Sequence, residues 1–364
     1  MFGGAPYDDF LDAWRAERFD ADAMMRLVAD SGARYVVPTT KHHDGVTLWD
    51  APGTGDRNTV RRGPRRDLVG EFRDAARRAG LRFGTYYSGG LDWHATGQPA
   101  ITSDADHERR PVDAAYADYA FAHVADLIER YTPDLLWGDI EWPDHGKPDG
   151  PTSLAELFRR FYRASPDGVV NDRWGRTHWD FRTSEYEYGR DLESGVWEHC
   201  RGIGYSFGYN RLEDAEQSLS AEDAVRYFVD IVARGGNLLL NVGPTAAGEL
   251  PELQRATLAG LGAWNRAHGD AIFGSRPLDA AVARASDEPW VRWTRTGDLA
   301  HAFVDAPAGV AVPLDADGGA LDLDAATASP GALAEREGDR LVVTVREQAL
   351  RGPVRVDLPM RARP

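Results

Sequence analysis

A chain of 364 residues, 42% of them apolar, is long enough to bury a large core and to fill one large domain plus a smaller one. Its formal charge of -16 argues against nucleic acid or an anionic membrane, both of which reward clustered positive charge, so a neutral substrate fits better. The single cysteine, Cys200, excludes an internal disulfide and a cysteine-based zinc cluster, and argues against redox chemistry.

Residues 1–10 lack the basic start and apolar run of a signal peptide, and no apolar stretch approaches the roughly 18 to 20 residues of a membrane span. As written, the chain is expected to be cytoplasmic; a start further upstream would allow secretion or a periplasmic site. The segment FLDAWRAERFDADAMMRLVADSG reads as helical. After it, short β-rich runs follow one another: RYVVPTT (34–40), LRFGTYYS (81–88), DLLWGD (134–139), GVVNDR (168–173), RTSEY (182–186), YSFGYN (205–210) and GNLLLNVG (236–243). Most are apolar on both faces, the signature of parallel strands covered on both sides. Amphipathic helices lie between several of them: RDLVGEFRDAARRAG, YADYAFAHVADLIERY and SAEDAVRYFVDIVARGG, the last opening with Ser220 and Asp223 at capping-box spacing.

This alternation predicts an α/β fold, a TIM-like (β/α)8 barrel. Seven strand candidates are visible and a helical stretch precedes the first, so the strand that is lacking is the first one. From about Gly274 the texture changes to alternating runs without helices, with a turn at Gly297 and Asp298, which predicts an antiparallel β-sandwich. The expected domains are a catalytic (β/α) barrel over 1–274 and a β-sandwich over 275–364.

Barrel chemistry sits at the C-terminal ends of strands. Asp139 and Glu185 both close apolar runs, with Trp137, Trp142, Trp174, Trp179 and Tyr186 nearby in sequence. Paired carboxylates with aromatic neighbours suggest glycoside hydrolysis, in which one acid protonates the leaving oxygen and the other attacks or activates the anomeric carbon. Taken singly, Asp139 reads as a helix cap, Glu185 as a solvated loop residue, Arg173 as half of a structural ion pair and Trp137 as core; their joint placement at strand ends favours a site. In KHHDGVTLWD (41–50), adjacent histidines on a strand point to opposite faces, which argues against His42 and His43 sharing a metal ion. Where the chain turns past the strand, both rings can reach a substrate hydroxyl.

The fragments YVVPTTKHHDGVTLWD, RGPRRDL, RFGTYYSGGLDW, LLWGDIEWP, RGIGYSFGYN and GGNLLLNVGP, in that order, resemble α-L-fucosidases of glycoside hydrolase family 29. The resemblance runs from about Tyr7 to Gly274 and lacks the family's opening strand with its His-Trp-Gly motif. It implies a retaining exo-α-L-fucosidase with Asp139 as nucleophile and Glu185 as acid/base, about 5 to 5.5 Å apart. It also implies sugar contacts from His42, His43, Tyr87, Trp137, Arg173 and Phe207, with no metal and no cofactor. The implied partner is a fucosylated oligosaccharide or glycoconjugate, with no nucleic acid and no membrane; the sequence allows a homo-oligomer without specifying one. The competing readings are a degenerate, non-catalytic fucose-binding protein and an exo-glycosidase for a fucose-like sugar.

Overall fold

Apolar runs become strands here where amphipathic helices can cover them, and the strand ends then carry the polar residues. The computed structural model describes residues 6–97, 103, 110–111, 113–186, 195–346 and 352–361. The chain divides into two units, one of Met1–Ala29, Ala33–Thr183 and Pro244–Leu250, the other of Asp30–Gly32, Ser184–Gly243 and Pro251–Pro364.

In the first unit the opening helical stretch is two helices, α1 (Asp8–Ala13) and α2 (Ala21–Asp30). It breaks because Trp14 is extended and Ala16 takes a left-handed φ of 49°. Strands β1 (Tyr35–Val36) and β2 (Thr39–Lys41), helix α3 (Leu68–Arg78), strand β3 (Arg82–Ser88), the short α4 (Trp93–Thr96), helix α5 (Ala114–Tyr131), strand β4 (Leu135–Asp139), helix α6 (Leu154–Ala164) and strand β5 (Val169–Val170) follow. The sheet order is β1-β3-β4-β5 with β2 also on β3, and the pairings are parallel. Helix α5 is capped by Asp113, whose side chain accepts from the Tyr116 N–H, and it buries Ala117, Ala120, Val124, Leu127 and Ile128 on one face. Burying each of the larger aliphatic side chains is worth about 1.5–3 kcal/mol, so the core face anchors this helix more strongly than its cap.

Apart from Asp30–Gly32, the second unit starts at Ser184 within β6 (Arg182–Glu185), which neighbours β7 (Trp197–Gly202), itself parallel to β8 (Asn237–Asn241). Helices α7 (Ala221–Ala233) and α8 (Glu252–His268) flank β8 in the chain, and Ser220 caps α7 by accepting from the Asp223 N–H at 3.1 Å. The strand expected at 205–210 does not form; the strand is β7, just before it. Residues 205–210 instead bond to side chains, Ser206 N–H to Glu213 at 2.6 Å and Phe207 carbonyl to the Asn241 amide at 2.5 Å. Both parallel sheets are open among the described residues. Parallel strands alternating with helices are present as expected; closure into a ring is not seen.

The change of texture near Gly274 corresponds to a change of architecture. One sheet has the order β13-β16-β11-β10-β9, built from Thr327–Ala328, Val354–Pro359, Leu299–Asp305, Trp290–Thr296 and Arg276–Pro277. The other has β12 (Ala311–Leu314), β15 (Arg340–Val345) and β14 (Ala332–Glu337). All their pairings are antiparallel. Val291, Trp293, Ala302 and Val356 of the first share one core with Val312, Leu341 and Val343 of the second, as in a two-layer sandwich. The β10–β11 hairpin turns at Gly297 and Asp298, the dipeptide that marked the turn.

Candidate active site

Parallel register fixes which strand-end side chains share a face. Tyr86 of β3 lies beside Trp137 of β4, and Ser88 beside Asp139. Residues two apart point the same way, so Tyr86, Ser88, Trp137 and Asp139 occupy one face. Tyr86 donates from its hydroxyl to Asp139 Oδ2 at 2.6 Å. Arg173, just past β5, donates from Nη1 to Asp139 Oδ1 at 3.2 Å. Each carboxylate oxygen thus has its own donor, which fixes the plane of the group, and its side chain keeps only 13% of its surface exposed.

The donors are themselves held. Arg173 Nε donates to Thr183 Oγ1 at 2.9 Å, and that hydroxyl donates to Asp172 Oδ1 at 2.7 Å. The buried Asn171 side chain accepts from Gly138 N–H at 2.8 Å and donates to the Gly138 carbonyl at 3.0 Å, continuing the ladder where β5 has ended. Behind Asp139, Ile140 and Glu141 take φ of 57° and 59°. Two successive left-handed residues, one β-branched, cost roughly 1–2 kcal/mol each. Their turn is held by Glu141 N–H to the Arg173 carbonyl at 3.0 Å and Trp142 N–H to that of Trp174 at 3.2 Å. It packs so closely on the loop after β3 that a β-carbon at Gly90 would lie 1.9 Å from the Ile140 oxygen, which only glycine avoids.

A stack of rings leads away from the carboxylate. Trp137 lies 5.4 Å from Tyr86 at 21°, Tyr86 5.8 Å from His42 at 21°, and His42 3.9 Å from His43 at 25°. The Arg173 guanidinium lies over the Trp137 ring, 4.8 Å from its centroid. Both histidines face the same side because they follow β2 rather than lie in it, the chain turning through Gly45. His42 is exposed as a residue, yet the protein around its ring desolvates the imidazolium and holds its pKa below the ordinary value.

Tyr87, the expected sugar contact, is a correction. It points to the opposite face of β3, is 1% exposed, and donates from its hydroxyl to His123 Nδ1 at 3.0 Å. His123 Nε2 in turn donates to the Pro52 carbonyl at 2.9 Å. The tyrosine at Asp139 is Tyr86, and strand parity carried the signal: counting back two residues from the strand ends Ser88 and Asp139 gives Tyr86 and Trp137. Trp142 and Trp174 are also core, 0% and 1% exposed. Lys41, beside His42 in sequence, is fully buried, with Asp92 at 3.2 Å.

Glu185 belongs to the second unit. It is exposed at the end of β6 and is followed by Tyr186, whose φ is 51°. The Tyr186 hydroxyl donates to the Tyr205 carbonyl at 2.7 Å, and its ring lies 5.2 Å from that of Phe207, which is 36% exposed. Beneath Glu185, Ser184 bonds His199 Nδ1 at 2.7 Å and Tyr227 bonds its Nε2 at 2.5 Å. Burial, with the nearby Arg201 charge, lowers the His199 pKa to about 4.

The sequence model of the α-L-fucosidase family matches residues 3–270. The chain is 32% identical to the α-L-fucosidase of Dictyostelium discoideum over 305 residues, 82% of this chain and 65% of that protein. It is 32% identical to human tissue α-L-fucosidase over 309 residues, again 82% of this chain, and 64% of that one. It therefore spans less than two thirds of the length of these curated relatives. Among solved structures, the α-fucosidase of Thermotoga maritima in complex with fucose is similar at 40% identity and a TM-score of 0.85, over 98% of this chain and 82% of that one. An α-L-fucosidase structure at 41% identity gives a TM-score of 0.88 over 98% of this chain and 81% of that one. With the family's matched region extending over nearly three quarters of its length, this chain belongs to the α-L-fucosidase family.

Proposed function

We propose that this chain is a retaining exo-α-L-fucosidase that hydrolyses terminal α-L-fucosyl residues from glycans or glycosides. The observation that carries the reading is the Asp139 carboxylate, held by one donor on each oxygen at a strand end, in a chain of this family. Asp139 attacks the anomeric carbon as the bond to the leaving oxygen breaks, and Glu185 delivers its proton to that oxygen. Water then attacks the same carbon, Glu185 takes the water's proton, and the bond to Asp139 breaks. Two inversions leave the anomeric configuration unchanged.

The remaining residues bind the sugar in this reading. His42, His43 and Arg173 hydrogen-bond ring hydroxyls, and Trp137 offers an apolar face to the ring's C–H bonds. Phe207 keeps an accessible apolar edge, suited to the C6 methyl of a 6-deoxy sugar and worth about 0.8 kcal/mol. The partner is a fucosylated oligosaccharide or glycoconjugate. The solved relative's complex with fucose supports this choice, and the comparisons offer no support for a non-catalytic binding protein. Release of 4-nitrophenol from its α-L-fucoside, lost in Asp139→Gly, tests the proposal. A folded wild-type protein with no turnover on this or the galactoside of the L series would overturn it.

A further inference from the structure

We infer that Ser88 is a positioning residue that fixes the tautomer of His43, making its Nε2 a hydrogen-bond acceptor for a hydroxyl of the bound sugar. The Ser88 side chain is 0% exposed and, among the described residues, has two hydrogen-bond partners. Its hydroxyl donates to the Leu91 carbonyl at 3.1 Å and its oxygen lies 2.8 Å from His43 Nδ1. A serine hydroxyl has one proton. Spent on Leu91, it leaves Ser88 only lone pairs toward the imidazole, so Nδ1 must carry the N–H and Nε2 the lone pair. In the opposite assignment the Leu91 carbonyl would keep, among the described residues, only Lys41 Nζ at 3.4 Å, and a buried carbonyl so poorly paired is costly.

Lys41 makes the turn rigid enough to impose this choice. Its ammonium donates to the Ser88 carbonyl at 2.9 Å and lies 3.2 Å from the Tyr116 hydroxyl and 3.2 Å from Asp92 Oδ2. Asp92 Oδ1 accepts from the Ala95 N–H at 2.9 Å. The residue before His42 therefore clamps the turn that orients His43. An acceptor at Nε2 recognises a hydroxyl and rejects a group lacking a proton to give, so the device sets specificity as well as affinity. The tautomer follows from this geometry alone; only the identity of the ligand rests on the proposed fucosidase activity.

The test is nitrogen-15 NMR of histidine-labelled protein, with the His43 signals assigned by their loss in His43→Gln. At a pH where the ring is neutral, the expected result is a protonated Nδ1 and a lone-pair Nε2 in the wild type. In Ser88→Ala the proton should shift to Nε2, and Ser88→Thr should restore it to Nδ1. L-fucose affinity should fall between about threefold and tenfold in Ser88→Ala and recover in Ser88→Thr. A wild-type His43 protonated at Nε2 overturns the inference, as does unchanged fucose affinity in Ser88→Ala. If the wild type shows the Nδ1–H tautomer but binds no L-fucose, the tautomer stands and the fucosidase reading fails.

Discussion

The surroundings of the two carboxylates differ in kind. Asp139 is largely enclosed, with Tyr86 on one oxygen and Arg173 on the other, and its strand is braced by Asn171. Glu185 is exposed at the tip of a four-residue strand, with its bracing beneath it at Ser184 and His199. The contrast matches the two parts in the proposed reaction. A nucleophile gains from a fixed angle of attack, whereas an acid that protonates a leaving group and then deprotonates water must meet both.

The sharpest way to break that contrast is to remove each acid in turn. Asp139→Gly should lose roughly 10⁴-fold or more in kcat, since no other group forms the covalent intermediate. Glu185→Ala should lose about 10²- to 10⁴-fold on natural glycans, and far less on 4-nitrophenyl fucoside, whose leaving group needs little protonation. Equal losses on both substrates would remove Glu185 from the acid role. Steady-state kinetics on the two substrates reads both outcomes.

The adjacent tyrosines test the contrast within one strand. Tyr86→Phe frees Asp139 Oδ2 and should lower kcat about 10- to 100-fold with little change in stability. Tyr87→Phe should leave kcat unchanged but cost about 1–3 kcal/mol, because His123 Nδ1 loses its buried donor. Urea unfolding beside the kinetics separates them; a reversed pattern would put Tyr87 at the substrate.

A further effect, spread over several pH units, is in stability. Burial, reinforced by Lys41, lowers the His123 pKa to about 3, and His199 is lowered to about 4. The unfolded chain protonates each imidazole near pH ~6.5. Between that value and the folded one, the unfolded state binds more protons, so falling pH favours unfolding. The stability owed to these neutral rings is complete above ~6.5 and declines by up to ~1.4 kcal/mol per pH unit and group below it. For His199 the decline should end near pH 4, and for His123 near pH 3. Stability curves at graded pH should flatten over this window in His199→Gln or His123→Gln.

Much of this was legible because apolar runs bounded by turn residues mark covered strands. The runs at 81–88, 134–139 and 236–243 became β3, β4 and β8. Strand β7 was hidden because it carries Glu198 and His199 inward, 3% and 0% exposed, where partners such as Ser184 and Tyr227 satisfy the imidazole. Hydropathy cannot anticipate a buried polar group whose partners come from other elements. The aromatic run at 205–210 misled for the converse reason: its glycine and asparagine favour turns, and its rings remain at the surface. At the candidate site, types and strand ends were readable, but facing was not. Tyr86 and Tyr87 differ only in phase, and phase is set by the register with β4.

Trapping the covalent intermediate identifies the carboxylate that attacks the sugar. Incubation with 2-deoxy-2-fluoro-L-fucosyl fluoride, which slows the hydrolytic step more than the first, should add one 2-fluorofucosyl group to the protein. Peptide mapping should place it on Asp139. A label on another residue, or turnover of an α-fucoside to β-L-fucose as the first-formed product, would contradict the account.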